Sequence, residues 1–255
     1  MTGDLLLIKS LIEKDLKVRY KRSMLGFLWF LLKPLFSMVV YTIVFTRIIR
    51  FGGTIEHFSL FLLTGLLPWN FFAASLSASA KTLLDNQKLI RSIYFPRLAL
   101  PISSVLANAT HMLMAMGVLE ILLIAFGRTP GLSILLLPIA ILLLAAMTCG
   151  FAMIISVTNV YYRDVAQFLE VILLAWFYAS PIIYPLGAGL IPAKMEAIIQ
   201  YNPVAGAMEI FHSIMYYGVW PELWSWVSIT AWTTVILATG ILVFRKLEPS
   251  VVKEL

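Results

Sequence analysis

An all-α polytopic membrane fold is what this sequence predicts, and three observations carry the prediction. Of 255 residues, 61% are hydrophobic and only 13% charged, with a mean hydropathy of +0.92, whereas a soluble domain is about half apolar and about a quarter charged. The apolar residues gather into six windows, each close to the roughly 20 residues needed to cross ~30 Å of hydrocarbon. Within those windows the apolar runs are continuous, without the alternation over ~10-residue segments that a transmembrane barrel requires. Nineteen Lys and Arg against thirteen Asp and Glu give a net charge of +6. In a membrane protein such an excess orients loops and meets anionic lipid, so no nucleic-acid partner is read from it. The single cysteine, Cys149, excludes an internal disulfide framework and a Cys-rich metal site, and its apolar surroundings suit a small buried hydrophobe.

Residues 1–23 form the first unit. In Asp4–Arg22 the residues Leu5, Ile8, Leu11, Ile12, Leu16 and Tyr20 recur at helical spacing, with Lys9, Glu13, Lys14, Lys17 and Lys21 on the remaining surface. This predicts an amphipathic helix lying on the membrane surface. The transmembrane domain, 24–255, follows, with spans at about Met24–Phe45, Leu60–Leu83, Leu98–Phe126, Leu132–Val160, Val165–Tyr184 and Leu223–Phe244. The first run is too long for the apolar core of a cleaved signal and lacks a clear small-residue cleavage site, so it is kept as structure. Between the fifth and sixth spans, Pro185–Pro221 exceeds a simple hairpin and holds apolar stretches broken by Asn202–Pro203 and glycines. Short or re-entrant helices are expected there, because backbone at membrane depth must satisfy its own hydrogen bonds. No internal repeat or low-complexity tract is present.

Basic residues orient the chain. Lys9, Lys14, Lys17, Arg19, Lys21, Arg22, Lys81, Lys88, Arg91, Arg97, Arg163, Arg245, Lys246 and Lys253 fall on one side; Arg47, Arg50, Arg128 and Lys194 fall on the other, and Lys33 lies within a span. The positive-inside rule then places both termini in the cytoplasm.

Chemistry of the chain's own is hard to find. His57, His111 and His212 lie in different segments without metal-ligand spacing, and neither a G-x-x-x-x-G-K-[ST] phosphate loop nor a G-x-S-x-G elbow occurs. Lys33, Glu120 and Glu170 are ionisable residues within spans and so functional candidates. Each also has a plain reading: Lys33 snorkels to the head groups, Glu170 pairs with a basic neighbour at the interface, and Glu120 is buried between helices with a hydrogen-bond partner. They are too scattered for a proton relay. Aromatics make up 13% of the chain, and many sit near span ends. An interfacial belt accounts for any single ring; a lined conduit is the sharper alternative, since aromatic faces stack on the C–H faces of sugars.

The string KDLKVRYKRSMLGFLWFLLKP at Lys14–Pro34, with LTGLLPWNFF at Leu63–Phe72, YFPR at Tyr94–Arg97, NVYYRD at Asn159–Asp164, SPIIYP at Ser180–Pro185 and YNP at Tyr201–Pro203, resembles the membrane subunit of ABC-2-type polysaccharide exporters. The O-antigen lipopolysaccharide exporters are nearest, with teichoic-acid and capsule exporters as relatives. The motifs are individually short, but they appear in order along nearly the whole chain. The resemblance implies a homodimer of six-span subunits in the bacterial cell membrane, the inner membrane in a Gram-negative cell. Two separate ABC ATPase subunits bound to it would carry ATP and Mg, with no cofactor in this chain, and would drive a lipid-linked polysaccharide outward.

It also assigns segments. Lys14, Lys17, Arg19, Tyr20 and Arg22 fall on the family's interface helix. Residues 85–96 take the place of its coupling helix, with Lys88, Leu89, Ile90, Arg91, Ile93 and Tyr94 as ATPase-contacting candidates, and 185–217 takes the place of its external gate. Lys81, Lys88 and Arg91 also serve as positive-inside charges. The apolar Leu83, Leu84, Leu89, Ile90 and Ile93 are what a solvated loop would not need and a helix laid in a partner groove would. Gly26 in Ser23–Trp29 permits close backbone approach where the chain turns from surface to membrane. Arg163–Asp164 is either a local salt bridge or an ATPase contact. Candidate channel or gate rings are Trp29, Phe30, Tyr41, Trp69, Phe72, Trp176, Tyr178, Tyr184 and Tyr201. Two competitors stand beside this reading: another ABC-2 cargo (teichoic acid, capsule or a hydrophobic small molecule), and a polytopic lipid-linked sugar transferase. The transferase would need a carboxylate or His constellation that the dispersed Glu120, Glu170 and histidines do not supply.

Overall fold

The computed structural model describes residues 9–14, 28–44, 47, 55–92, 95–187, 189 and 191–254. Every regular element among them is helical. After the helical residues 9–14 come α1 (Trp29–Ile43), α2 (Phe58–Asp85), the short α3 (Gln87–Ser92), α4 (Ala99–Ala125) and a 3-10 turn (Leu132–Leu136) that runs into α5 (Leu137–Tyr161). Then follow α6 (Val165–Tyr178), α7 (Ala193–Ile199), α8 (Ala205–Phe211), a π-helical His212–Tyr217, and α9 (Leu223–Glu254). Four helical stretches are long and apolar enough to cross a membrane: Phe58–Asp85, Ala99–Ala125, Leu132–Tyr161 and Leu223–Val251, of 28, 27, 30 and 29 residues. At about 1.5 Å per residue each exceeds the ~30 Å of hydrocarbon.

The α2 helix is the central pillar. In its most apolar stretch 78% of residues are buried inside the protein, against 44%, 28% and 33% for the other three, and it packs against α1, α4, α5, α6 and α8. The tightest pairing is α5 with α9, where two glycines let the backbones touch. A Cβ on Gly150 would stand 2.6 Å from the Ile236 carbonyl oxygen, and one on Gly240 would stand 2.9 Å from Gly150 Cα. In a bilayer, where apolar faces gain nothing by leaving lipid, such close backbone packing is a main source of helix association.

Two buried clusters result. The larger fills the bundle from its middle to the end carrying Arg128 and the 185–217 segment, here the distal end. The smaller closes the opposite, basic end, where Leu11, Leu83, Ile90, Phe95, Leu100, Val157, Phe244 and Val251 meet.

Two expected spans change length. The fifth, expected over Val165–Tyr184, stays helical only to Tyr178, a stretch of 14 residues. Pro181 has no N–H to continue the ladder, and Pro185 disfavours the α conformation for the residue before it, so Ser180–Tyr184 folds back into the core, all five residues buried. The sixth, expected to end at Phe244, continues to Glu254, because Phe244 and Val251 are buried in the basic-end cluster. Of the first expected span, residues 28–44 are described and α1 covers 15 of them. The 185–217 region does form short helices. α7 has no buried residue, whereas α8 buries Ala205, Gly206, Ala207, Met208, Ile210 and Phe211.

Candidate functional site

At the basic end, α2 turns through Asn86 into α3 within one residue. The Asn86 side chain holds the turn from both sides: its Nδ2 donates to the Thr82 carbonyl at 2.8 Å, and its Oδ1 accepts from Lys14 Nζ at 2.7 Å. Leu11 is buried against the same corner, while Lys9, Glu13 and Lys14 are exposed. The rest of the expected amphipathic helix, before residue 9 and after residue 14, lies outside the described residues. Lys17, Arg19, Tyr20 and Arg22, as well as Ile93 and Tyr94, lie outside the described residues.

Ile90 and Leu83 are buried in this chain's own core, and Leu89 and Leu84 are partly buried against it. The apolar set is thus largely spent within the chain, not held out to a partner groove. Lys81, Asp85, Lys88, Arg91 and Ser92 remain exposed. The last turns of α9 brace the corner: Arg97 donates to the Glu248 carbonyl and the Tyr161 hydroxyl to the Leu247 carbonyl, both at 3.0 Å. Arg163 and Asp164 are exposed and form no ion pair with each other.

Seven rings knit α1, α2, α5 and α6 together. Tyr41 stacks on Phe177 at 5.7 Å, Trp69 meets Phe72 and Phe177 at 5.7 Å each, and Phe72 meets Phe151 and Trp176 at 5.8 and 5.4 Å. Tyr178 closes the series on Phe177 at 5.1 Å. Trp69, Phe72 and Tyr184 are buried, so they serve as packing within the subunit; Trp29, Tyr178 and Tyr201 are exposed, and Tyr41 and Trp176 fall between. Phe30 lies in the first turn of α1, and its side chain, like that of Lys33, is outside the description.

The distal end is held by polar contacts that the sequence reading missed. His212 lies flat on Phe61, 4.0 Å between centroids and 8° between planes. Its Nε2 is 3.1 Å from the Pro181 carbonyl, which can only accept, so the proton sits there, and Nδ1 lies 2.7 Å from the Thr64 hydroxyl, whose single proton is shared between Nδ1 and the Phe61 carbonyl at 2.6 Å. One ring thereby joins LTGLLPW, SPIIYP and the π-helical segment. Burial pushes this imidazole down from 6.5 to about 4, against the opposing effect of the Pro181 hydrogen bond, so it is neutral at pH 7. Nearby, Arg128 pairs with Glu56 at 3.1 Å, donates to the Tyr216 carbonyl and hydroxyl, and lies 4.1 Å over the Tyr216 ring. The Tyr216 hydroxyl in turn donates to the Glu56 carbonyl. Burial raises the Tyr216 phenol, with Arg128 opposing.

Two further asparagines sit in quoted motifs. Asn159 of NVYYRD donates to the Ala80 carbonyl at 2.7 Å and accepts from the Ala166 N–H at 3.0 Å. Asn202 of YNP accepts from Trp176 Nε1 at 2.7 Å and the Val204 N–H at 3.0 Å, and donates to the Ala179 carbonyl and Ser180 Oγ at 2.9 Å. Glu120 is partly buried on α4, and its Oε2 has no hydrogen-bond partner among the described residues. Glu170 is exposed. Among the described residues no group of three His, Cys, Asp or Glu side chains is placed to hold a metal.

The family model for ABC-2 type transporters matches residues 6–216. The O-antigen export system permease protein RfbA of Klebsiella pneumoniae is 34% identical over 247 residues, 96% of this chain and 92% of that one. Its namesake in Myxococcus xanthus is 30% identical over 239 residues, 94% and 91% of the two chains. The polysialic acid transport protein KpsM of Escherichia coli is 24% identical over 246 residues, 94% and 93%.

Proposed function

The chain belongs to the ABC-2 type transporter family, a family of multi-pass membrane proteins, and on that premise we propose that it is the permease subunit of an ATP-driven exporter that carries lipid-linked O-antigen polysaccharide across the membrane. The observation that supports this most is the likeness to two O-antigen export permeases at 30–34% identity over more than nine-tenths of the chain. Translocation asks no covalent chemistry of this subunit. Its work is to exchange one bundle arrangement for another as a partner binds, and only differential contact with the two arrangements can do that.

Within this reading the subunit pairs with a second copy, and ATP and Mg are held by two separate ABC ATPase subunits. The basic end faces the cytoplasm of the bacterial cell, in line with the positive-inside rule, and both termini lie there. The exposed Lys88 and Arg91 of α3, extended by Ile93 and Tyr94, meet the ATPase, while Lys14, Lys17, Arg19, Tyr20 and Arg22 lie at the membrane boundary. Trp29, Tyr178 and Tyr201, exposed in the single subunit, are the rings available to a sliding carbohydrate.

The test is deletion of the gene in its host. Surface polysaccharide should disappear while lipid-linked glycan accumulates inside, and the chain should restore export only when an ABC ATPase partner is present. Unchanged surface glycan in the deletion strain would overturn the proposal. Capsule export is the second reading, favoured by the likeness to KpsM, and accumulation of capsular glycan instead would select it.

A further inference from the structure

The α6 helix is short, and one face of it is open. Of its 14 residues only Leu169, Leu173 and Phe177 are buried, and Phe168, Val171, Ile172, Leu174 and Tyr178 are more than half exposed. Yet each of its ends is fastened by one asparagine. At the basic end Asn159, itself 1% exposed, bonds the Ala80 carbonyl of α2 and the Ala166 N–H in the first turn of α6. Ala166 N–H is one of the donors a helix start leaves without an internal partner, so the bond completes α6 and ties it to α2 at once. At the distal end Asn202 takes the indole N–H of Trp176 and the Val204 N–H, and gives its own N–H groups to Ala179 and Ser180. Both amides are oriented without ambiguity, since a flip would set oxygen against carbonyl and N–H against N–H.

These bonds lie in series. Lys14 and Asn86 fix the α2–α3 corner; Ala80, less than two turns before the corner, leads through Asn159 into α6; Asn202 leads from α6 to the start of α8. We propose that Asn159 and Asn202 are positioning residues that make α6 a connecting rod, carrying displacement of the α2–α3 corner to α8 and the π-helical segment that continues it. This deepens the exporter reading and rests on it. Ring contacts from Trp176 and Phe177 hold the distal half of α6 to α1, α2 and α5, and six hydrogen bonds from the two asparagines fix its ends to α2 and to the start of α8.

The test uses the full permease–ATPase complex in nanodiscs, in a Cys149→Ala background, with bimane on a single cysteine. The cysteine replaces either Val171, exposed on α6, or Val219, exposed and bonded to the Ser213 carbonyl of the π-helical segment. Fluorescence is compared with and without ATP and vanadate, alongside ATP hydrolysis and export of the host's own surface polysaccharide. In the parent both positions should respond. Asn159→Leu should leave assembly and hydrolysis within about twofold of the parent while reducing both responses and export about tenfold, within the usual span of coupling between sites. Asn202→Leu should preserve the response at 171 and abolish that at 219. If Asn159→Leu fails to assemble, the split in Asn202→Leu decides: loss or retention of both responses together overturns the rod. A silent position 171 in the parent, or parental responses in both variants, overturns it as well. A parent complex that neither hydrolyses ATP nor exports would instead overturn the exporter reading.

Discussion

A ring buried flat against another ring, with both nitrogens engaged, leaves little room for substitution around it. A Cβ on Gly65 would fall 2.8 Å from His212 Nε2, so Gly65→Ala should destabilise the purified protein by about 1–3 kcal/mol, seen as a lowered Tm in detergent. The same ring predicts a pH dependence. His212 is neutral when folded, its pKa lowered by burial to about 4, while in the unfolded chain it takes a proton below 6.5. The unfolded state therefore binds more protons in that interval, and stability present above pH 6.5 is lost as pH falls toward 4. Thermal melts from pH 7.5 to 4.5 should show this slope, and His212→Gln should flatten it. None of these contacts was legible in the sequence. His212 lies 148 positions from Thr64, and Asn159 lies 79 from Ala80; a lone polar residue in an apolar run carries no periodicity that names its partner. Asn159 and Asn202 stand inside the NVYYRD and YNP motifs, yet a short motif does not name the backbone groups its amide will meet.

Elements were more legible than contacts, because a span is a statement about composition and length. Four of the six expected windows appear as helices long and apolar enough to cross a membrane, within a few residues of their expected starts. The ends that moved did so for reasons outside hydropathy: prolines 181 and 185 cut α6 short, and packing at the basic end prolonged α9. In α3 the apolar Ile90 and Leu89 pack inward while Lys88 and Arg91 stay exposed, a division that hydropathy alone does not reveal. Charge reversal in Lys88→Glu with Arg91→Glu should leave the Tm of the isolated subunit within about 1 °C, as surface changes usually do, yet abolish co-purification of the ATPase. Ile90→Asp, by contrast, buries a carboxylate in a packed cluster and should cost about 4 kcal/mol or more, failing in the isolated subunit before any partner is added. Gly150→Leu should be comparably severe, since its side chain would have to enter the α9 backbone; loss of monodisperse protein on gel filtration is the expected result.

At the scale of the molecule, the turns of α9 beyond the expected span end belong to the corner. Ending the chain at Lys246 would remove Val251, fully buried, and the Leu247 and Glu248 carbonyls that receive Tyr161 and Arg97. That truncation keeps a crossing helix yet should cost about 2–4 kcal/mol, with Tm as the measure. The far end of α9 meets α8, where Glu209 accepts from Ser225 at 2.8 Å and a Cβ on Gly206 would stand 2.9 Å from the Ser225 carbonyl. The same two regions are thus spanned twice, once by a long strut locked to α5 glycine against glycine and once by a shorter one held by ring contacts and by an asparagine at each end. Members that share both mounts share one displacement and divide the load by their stiffness, so Gly150 and Gly240, which lock the longer one, set how far the shorter can travel.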